Sequence, residues 1–334
     1  MIRFAPGMAA LVLLAGCGAP PQGVVPGAVN DQNAVAGSAS PDESWTAKGL
    51  KQRDLLYVTN ADGTVSVFRY WQRSLVGVLT HFKRPWGACS DQSGDVYITD
   101  FTAAKVYEYA HGGTKAIKVL DDPGYSPEGC SVAPGSGDLA VGNGTDYYYY
   151  YTDGSLAIYP HGSGSPILYK TNDEDHFTSC AYDNHGDLLT VSRYGYYGLY
   201  TQFYYLPKQS SKLIPMNLPG PGQSSSGWDY VQGVAFDGKY FVVASYDRLY
   251  RFTINVKAQY VDTITLSGGY GSVAAPAIYR KSLKGEGTQV VGGASDDNKS
   301  AVDYWRYPAG GNAIDAITKD LDAPSGVAIS LGKE

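Results

Sequence analysis

One twelve-residue phrase recurs along this chain and limits what it can fold into. It reads Val106-Tyr-Glu-Tyr-Ala-His-Gly-Gly-Thr-Lys-Ala-Ile117 and returns as Leu156-Ala-Ile-Tyr-Pro-His-Gly-Ser-Gly-Ser-Pro-Ile167. It comes again as Tyr304-Trp-Arg-Tyr-Pro-Ala-Gly-Gly-Asn-Ala-Ile314, with a looser copy at Phe203-Tyr-Tyr-Leu-Pro-Lys-Gln-Ser-Ser-Lys-Leu213. Each copy is a short alternating run, a Gly/Ser turn and a second run, the signature of a hairpin. A hairpin cannot bury its apolar face alone. One that recurs must pack on copies of itself, in a radial or stacked array.

Each hairpin is the second half of a longer unit. A strand of small residues comes first: Gly87-Ala-Cys-Ser-Asp91, Gly129-Cys-Ser-Val-Ala133, Ser179-Cys-Ala-Tyr-Asp183, Gly233-Val-Ala-Phe-Asp237 and Gly326-Val-Ala-Ile-Ser330, with Pro276-Ala-Ile-Tyr279 a weaker sixth copy. A Gly-Asp or Gly-Lys turn follows. An apolar strand comes next, such as Val96-Tyr-Ile-Thr99 or Phe241-Val-Val-Ala244, which should be buried on both faces. The unit repeats every ~42 to 54 residues, the length of a propeller blade. The first unit, opening at Asp54, lacks its small strand, and the last small strand, Gly326 to Ser330, has no unit after it. The predicted fold is therefore all-β: a six-bladed β-propeller of four-stranded blades, its ring closed by the C-terminal strand pairing into blade one. Seven blades is the alternative count, with blade six the weak one. The 41 glycines and 29 tyrosines suit such a chain of turns and pleated surfaces.

The N-terminus is of another kind. A basic start and the run Met8-Ala-Ala-Leu-Val-Leu-Leu14, too short to span a bilayer, lead to Leu14-Ala-Gly-Cys17. These four residues resemble the lipobox of bacterial lipoproteins. The resemblance implies that residues 1–16 are a signal peptide and that Cys17 carries lipid such as palmitate; an ordinary secretory signal is the plain alternative. Gly18, rather than Asp, follows the cysteine, which implies an extracytoplasmic protein anchored in the cell envelope at the outer membrane. Residues 17–50 are rich in Gly, Pro, Ala, Ser and Asn and read as a flexible tether, leaving residues 51–334 for the propeller. With 26 basic and 32 acidic side chains and a net charge of −6, no basic footprint for nucleic acid stands out. A monomer is expected.

The blade pattern resembles the NHL-like and SMP-30-like six-bladed propellers. It is closest to bacterial envelope lipoproteins with NHL-like repeats, marked by Tyr-Ala-His-Gly-Gly and Gly-Cys-Ser-Val strings, over residues 54–330. That resemblance implies a fold and no activity. In the SMP-30-like enzymes a divalent cation sits at the channel mouth on Glu, Asn and Asp; here Asp100, Glu128 and Asn143 are the corresponding weak candidates for calcium. Nothing else in the chain suggests a cofactor.

In propellers the loops entering the innermost strands share a rim with those joining strands two and three. By that analogy the binding candidates are Trp86, Tyr125, Glu128, His176, Arg193, Trp228 and Tyr230. Two tyrosine runs fall on the same rim: Tyr147, Tyr148, Tyr149, Tyr150 and Tyr151, and Tyr196 with Tyr197. Tyrosine offers a flat face and a hydroxyl to sugars or extended peptides; equally, the runs could pack on each other in twisted hairpins. His111 and His161 occupy one turn of the repeat and read as structural. His176, beside Asp173-Glu-Asp175, is the one histidine on the candidate rim, and such a residue is more often a surface side chain than a base.

Cys89, Cys130 and Cys180 all lie in innermost strands, with Cys89 one residue further along than the other two. Successive residues face opposite sides of a strand, so Cys89 and Cys130 could face each other across a blade boundary, leaving Cys180 free. Three small buried hydrophobes is the alternative. No Gly-x-Ser-x-Gly, His-Glu-x-x-His or phosphate-binding loop is present. The sequence thus favours a binding or interaction module for a cell-envelope carbohydrate, peptide or protein over an enzyme. A metal-dependent hydrolase or lyase of the SMP-30-like type is the alternative.

Overall fold

The computed structural model describes residues 43–123, 126–144, 154–171, 175–194, 200–224, 227–228, 230–271, 273–281, 287–296 and 299–333. Six blade sheets are arranged around an axis, antiparallel except where Leu266 and Ser267 at the edge of blade five pair in parallel with Gly311 and Asn312, and a separate two-stranded sheet joins Gln223–Ser224 to Gly227–Trp228. Blade two shows the pattern: Pro85–Ser90, Val96–Asp100, Lys105–Tyr109 and Ala116–Asp121 pair in that order from the axis outwards. The innermost strands of blades three to six are Ser126–Val132, His176–Tyr182, Val231–Phe236 and Ala274–Tyr279. The recurring phrase forms the third and outer strands. Pro276 lies within an innermost strand, so the weak sixth copy is a true blade.

The ring closes as expected. Gly326–Ser330 pairs with Leu55–Thr59, Leu55 facing Ser330 and Thr59 facing Gly326. His111 in the outer hairpin of blade two fastens this strand, its Nδ1 lying 2.5 Å from Ser330 Oγ and its Nε2 3.1 Å from the Leu50 carbonyl. The repeated histidine is structural here. The blade-one sheet begins earlier than the expected boundary at residue 51, because Trp45–Thr46 pairs with Leu75–Leu79 and Leu50 is buried. These residues belong to the blade, not to a tether, because Trp45 to Leu50 supply a pairing strand and an apolar anchor.

The glycines of the innermost strands follow from crowding between one innermost strand and the next. A Cβ on Gly87 would lie 2.1 Å from the Glu128 carbonyl of the next blade, and one on Gly326 would lie 2.4 Å from the Trp86 carbonyl. Threonines at the ends of second strands fasten the same junctions: Thr59 Oγ1 donates to the Trp86 carbonyl at 2.7 Å and Thr99 Oγ1 to the Glu128 carbonyl at 2.6 Å. Second strands such as Leu55–Thr59 and Val96–Asp100 are buried throughout, because neighbouring blades cover both their faces. Cys89 and Cys130 form a disulfide between blades two and three, with Cα atoms 5.7 Å apart. Cys180 is a buried free thiol, and burial pushes its pKa up to about 12.

Candidate functional site

All innermost strands run the same way, so the ring has an entry face, where they begin, and an exit face, where they turn into the second strands. Of the candidates named from sequence, Trp86, Glu128, His176, Arg193 and Tyr230 lie at the entry face. Tyr125, Tyr147 to Tyr151, Tyr196, Tyr197 and Cys17 lie outside the described residues. At the base of the second tyrosine run, Tyr194 and Tyr200 face each other across a strand pair with ring centroids 5.4 Å apart.

Three groups form on this face. In blade two, Trp86 packs on Phe101 at 5.6 Å, and the Arg84 guanidinium lies 4.7 Å above the indole. Between blades three and four, Glu128 Oε1 meets His176 Nε2 at 2.5 Å with both side chains largely buried. Gly144 leaves room for the imidazole, since a Cβ there would lie 2.3 Å from Nε2. Between blades four and five, Arg193 Cζ lies 5.5 Å from the Tyr230 ring, which stacks on Tyr246 at 5.2 Å and 25°. Arg193 is held by a 2.7 Å bond from Nη2 to the Val231 carbonyl.

The third group is the one with open faces. Tyr230 and Tyr246 are 54% and 52% exposed. Both have left-handed backbones, with φ of 46° and 52°. That conformation costs a bulky residue of order 1 kcal/mol or more and clusters where a side chain must be aimed. Tyr246 occupies the two-residue connection between Phe241–Ser245 and Arg248–Ile254, where glycine or asparagine is the ordinary choice.

Trp228 is corrected. It is 4% exposed and lies in the core between blades four and five. Its ring meets Phe203, Tyr250 and Phe252 edge-on at 4.9–5.9 Å, and Nε1 donates to the Leu218 carbonyl at 3.0 Å. A side chain this large and apolar, with its one donor satisfied inside, has no reason to face solvent.

Of the oxygen donors suggested for calcium, Asp100 and Glu128 are engaged by protein groups, while the Asn143 side-chain oxygen is buried without a hydrogen-bond partner. Asp100 is fully buried and accepts the backbone N–H groups of Lys83, Arg84 and Ala103 at 2.7–3.1 Å. Asn143 donates to Asp122 Oδ1 at 3.1 Å and Ser155 Oγ at 3.3 Å. Burial pushes the Asp122 carboxyl up to about 6. Among the described residues no three His, Cys, Asp or Glu side chains converge as metal ligands.

Sequence reasoning missed Tyr246, Phe101 and Arg84. Tyr246 sits next to Asp247, the residue that marks the turn, and a bulky residue in so short a connection was the available signal.

No family model and no curated protein matches the chain. Solved structures do. A protein of unknown function from Bacteroides caccae is similar at 11% identity and a TM-score of 0.60, over 83% of this chain and 99% of that one. A chain of a nidogen/laminin complex is similar at 13% identity and 0.58, over 84% and 100%. A functionally unknown protein from Desulfotomaculum acetoxidans is similar at 11% and 0.55, over 84% and 99%. At such identities the likeness is one of fold.

Proposed function

We propose that this chain is a lipid-anchored, extracytoplasmic binding module that holds a cell-envelope carbohydrate on its entry face. The observation that carries this reading is the exposed Tyr230–Tyr246 stack with Arg193 against it. Flat aromatic faces at fixed angles suit the apolar face of a sugar ring, and Arg193 adds donors for its hydroxyls. The Cys89–Cys130 disulfide supports an oxidising compartment, in keeping with the Leu14-Ala-Gly-Cys17 string. A rigid ring presenting loops is a common interaction scaffold, and one chain of similar fold comes from a complex of two proteins.

A glycan array that includes peptidoglycan fragments, probed with the full chain, tests the reading. The expected result is a hit whose affinity falls about tenfold or more in Tyr230→Ala and Tyr246→Ala. Binding that survives both substitutions unchanged would remove the ledge from the site, and a hit on extended peptides alone would replace the ligand class.

One observation favours a second reading. The Glu128–His176 pair has the partners a proton-transferring enzyme needs, as a metal-dependent hydrolase or lyase would. Calcium-dependent thermal stabilisation that EDTA reverses, and that Glu128→Gln abolishes, would favour it over the binding module.

A further inference from the structure

The exit face opens on a cavity of about 430 Å³ along the ring axis. Its wall is the exit half of all six innermost strands, with Ala88, Ala181, Ala235, Ala277 and Ala328 among the lining residues. Side chains this small leave the axis open. Three charged residues join the wall: Asp91, Arg280 and Lys281.

Arg280 stands where the repeat has something else. The residue that follows the innermost strand is Asp91 in blade two, Asp183 in blade four and Asp237 in blade five. Each of these carboxylates caps its own turn: Asp91 accepts from Asp95 N at 2.8 Å, Asp183 from His185 N and Asp187 N at 2.8 and 2.9 Å, and Asp237 from Lys239 N and Tyr240 N at 2.8 and 2.7 Å. Blade six has Arg280 there, which can accept nothing. Its side chain reaches past blade five, lying 5.5 Å from the centre of the Phe236 ring, and donates Nη1 to Asn184 Oδ1 of blade four at 3.2 Å.

That is one neutral acceptor for a group with five N–H donors. Among the described residues no carboxylate lies within ion-pair distance of Arg280 or of Lys281. Asp237 attracts Arg280 only from further off, and is itself engaged by Tyr307 Oη at 2.5 Å and Arg251 at 3.7 Å. Burial lowers the pKa of the Arg280 guanidinium, the direction expected for a cation stripped of water without a full counter-charge.

We propose that the exit-face cavity is a second ligand site, for a small monocarboxylate. The carboxylate pairs with the free edge of the Arg280 guanidinium, the bidentate geometry that arginine favours. Lys281 adds a second cation at the mouth, and the alanine-lined wall takes the ligand's apolar body. Asp91 in the same wall disfavours a second negative charge, which selects monocarboxylates over dicarboxylates. The site is independent of the tyrosine ledge on the opposite face.

Calorimetric titration of the full chain with hexanoate, and with inorganic phosphate for comparison, tests this. The expected result is saturable hexanoate binding with a Kd near ~1 mM. Arg280→Gln should weaken it about tenfold or more and Arg280→Lys less, because an ammonium keeps the charge and loses the fork. Tyr230→Ala should leave it unchanged. A soak of wild-type crystals should place the carboxylate on Arg280, and this decides the matter if Arg280→Gln proves unfolded by circular dichroism. No saturable binding below about 10 mM, equal binding by folded Arg280→Gln, phosphate binding tighter than hexanoate, or a carboxylate seated elsewhere would each overturn the proposal.

Discussion

The entry and exit faces are built from the ends of the same strands, yet they use their side chains in opposite ways. On the exit face the repeat is kept: Asp91, Asp183 and Asp237 fold their carboxylates back onto their own turns, and His111 and His161 bond to Ser330 and to the Ser136 carbonyl. On the entry face the repeat is kept by Thr59 and Thr99 but lapses in the groups that line the rim. Tyr230 and Tyr246 hold up exposed rings on strained backbones, and Glu128 and His176 pair with each other. The side chains that recur from blade to blade are consumed by the architecture, while the Tyr230–Tyr246 stack, which does not recur, keeps open faces. Arg280 is a further case, an exit-face residue at the position where Asp91, Asp183 and Asp237 cap their turns, with donors to spare among the described residues.

The comparison can be broken most decisively at the architectural residues. Val327→Asp in the closing strand buries an unpaired charge, and should cost at least about 3–5 kcal/mol in urea unfolding; a smaller loss would mean that closure is not essential to the ring. Trp228→Ala should cost about 3–5 kcal/mol by the same measurement, as core rather than rim. A near-neutral result would return it to the ligand-binding set. Replacing both Cys89 and Cys130 by Ser should lower stability by about 2–4 kcal/mol, because the bridge spans 41 residues.

A pH profile sharpens the entry-face side. Burial raises the Asp122 carboxyl from 3.8 to about 6 in the folded state, so the native protein holds the proton more tightly than the unfolded chain does. That contribution to stability is fully present below about pH 4 and is lost as pH rises through about 6. It amounts to at most about 3 kcal/mol. Stability measured from pH 7 down to pH 4 should contain this rise, and Asp122→Asn should flatten it; an unchanged profile in that variant would assign the dependence to other groups. The smallest effect belongs to the ledge. Tyr230→Gly should alter stability by less than about 1 kcal/mol, because glycine relieves the positive φ, while removing the stacking face.

Much of this was legible in the chain because repetition carries information that a single strand does not. The small innermost strands, the phrase that forms the outer hairpins, the closing strand and the offset placing Cys89 opposite Cys130 all follow from aligning copies. What escaped lies between copies. Trp228 entered as a rim residue because it precedes an innermost strand, but the short hairpin of Gln223–Ser224 and Gly227–Trp228 turns it inward, and no period marks such a connection. Trp45–Thr46 is too short and too close to a polar segment to show alternation. Tyr246 gained meaning only from its backbone angle, and Arg280 from having no carboxylate within ion-pair distance among the described residues; neither is a property of sequence spacing.

The pairing of Leu55–Thr59 with Gly326–Ser330 also sets an order in time. Thr59 and Gly326 are 267 positions apart, so at ordinary synthesis rates ~15–50 s separate the making of the two partners. Through that interval blade one presents an unpaired edge strand, Leu55-Leu-Tyr-Val-Thr59, with the composition that invites pairing with other chains. Until Gly326–Ser330 has been made nothing in the chain can cover that edge, so ring closure is the last step of assembly.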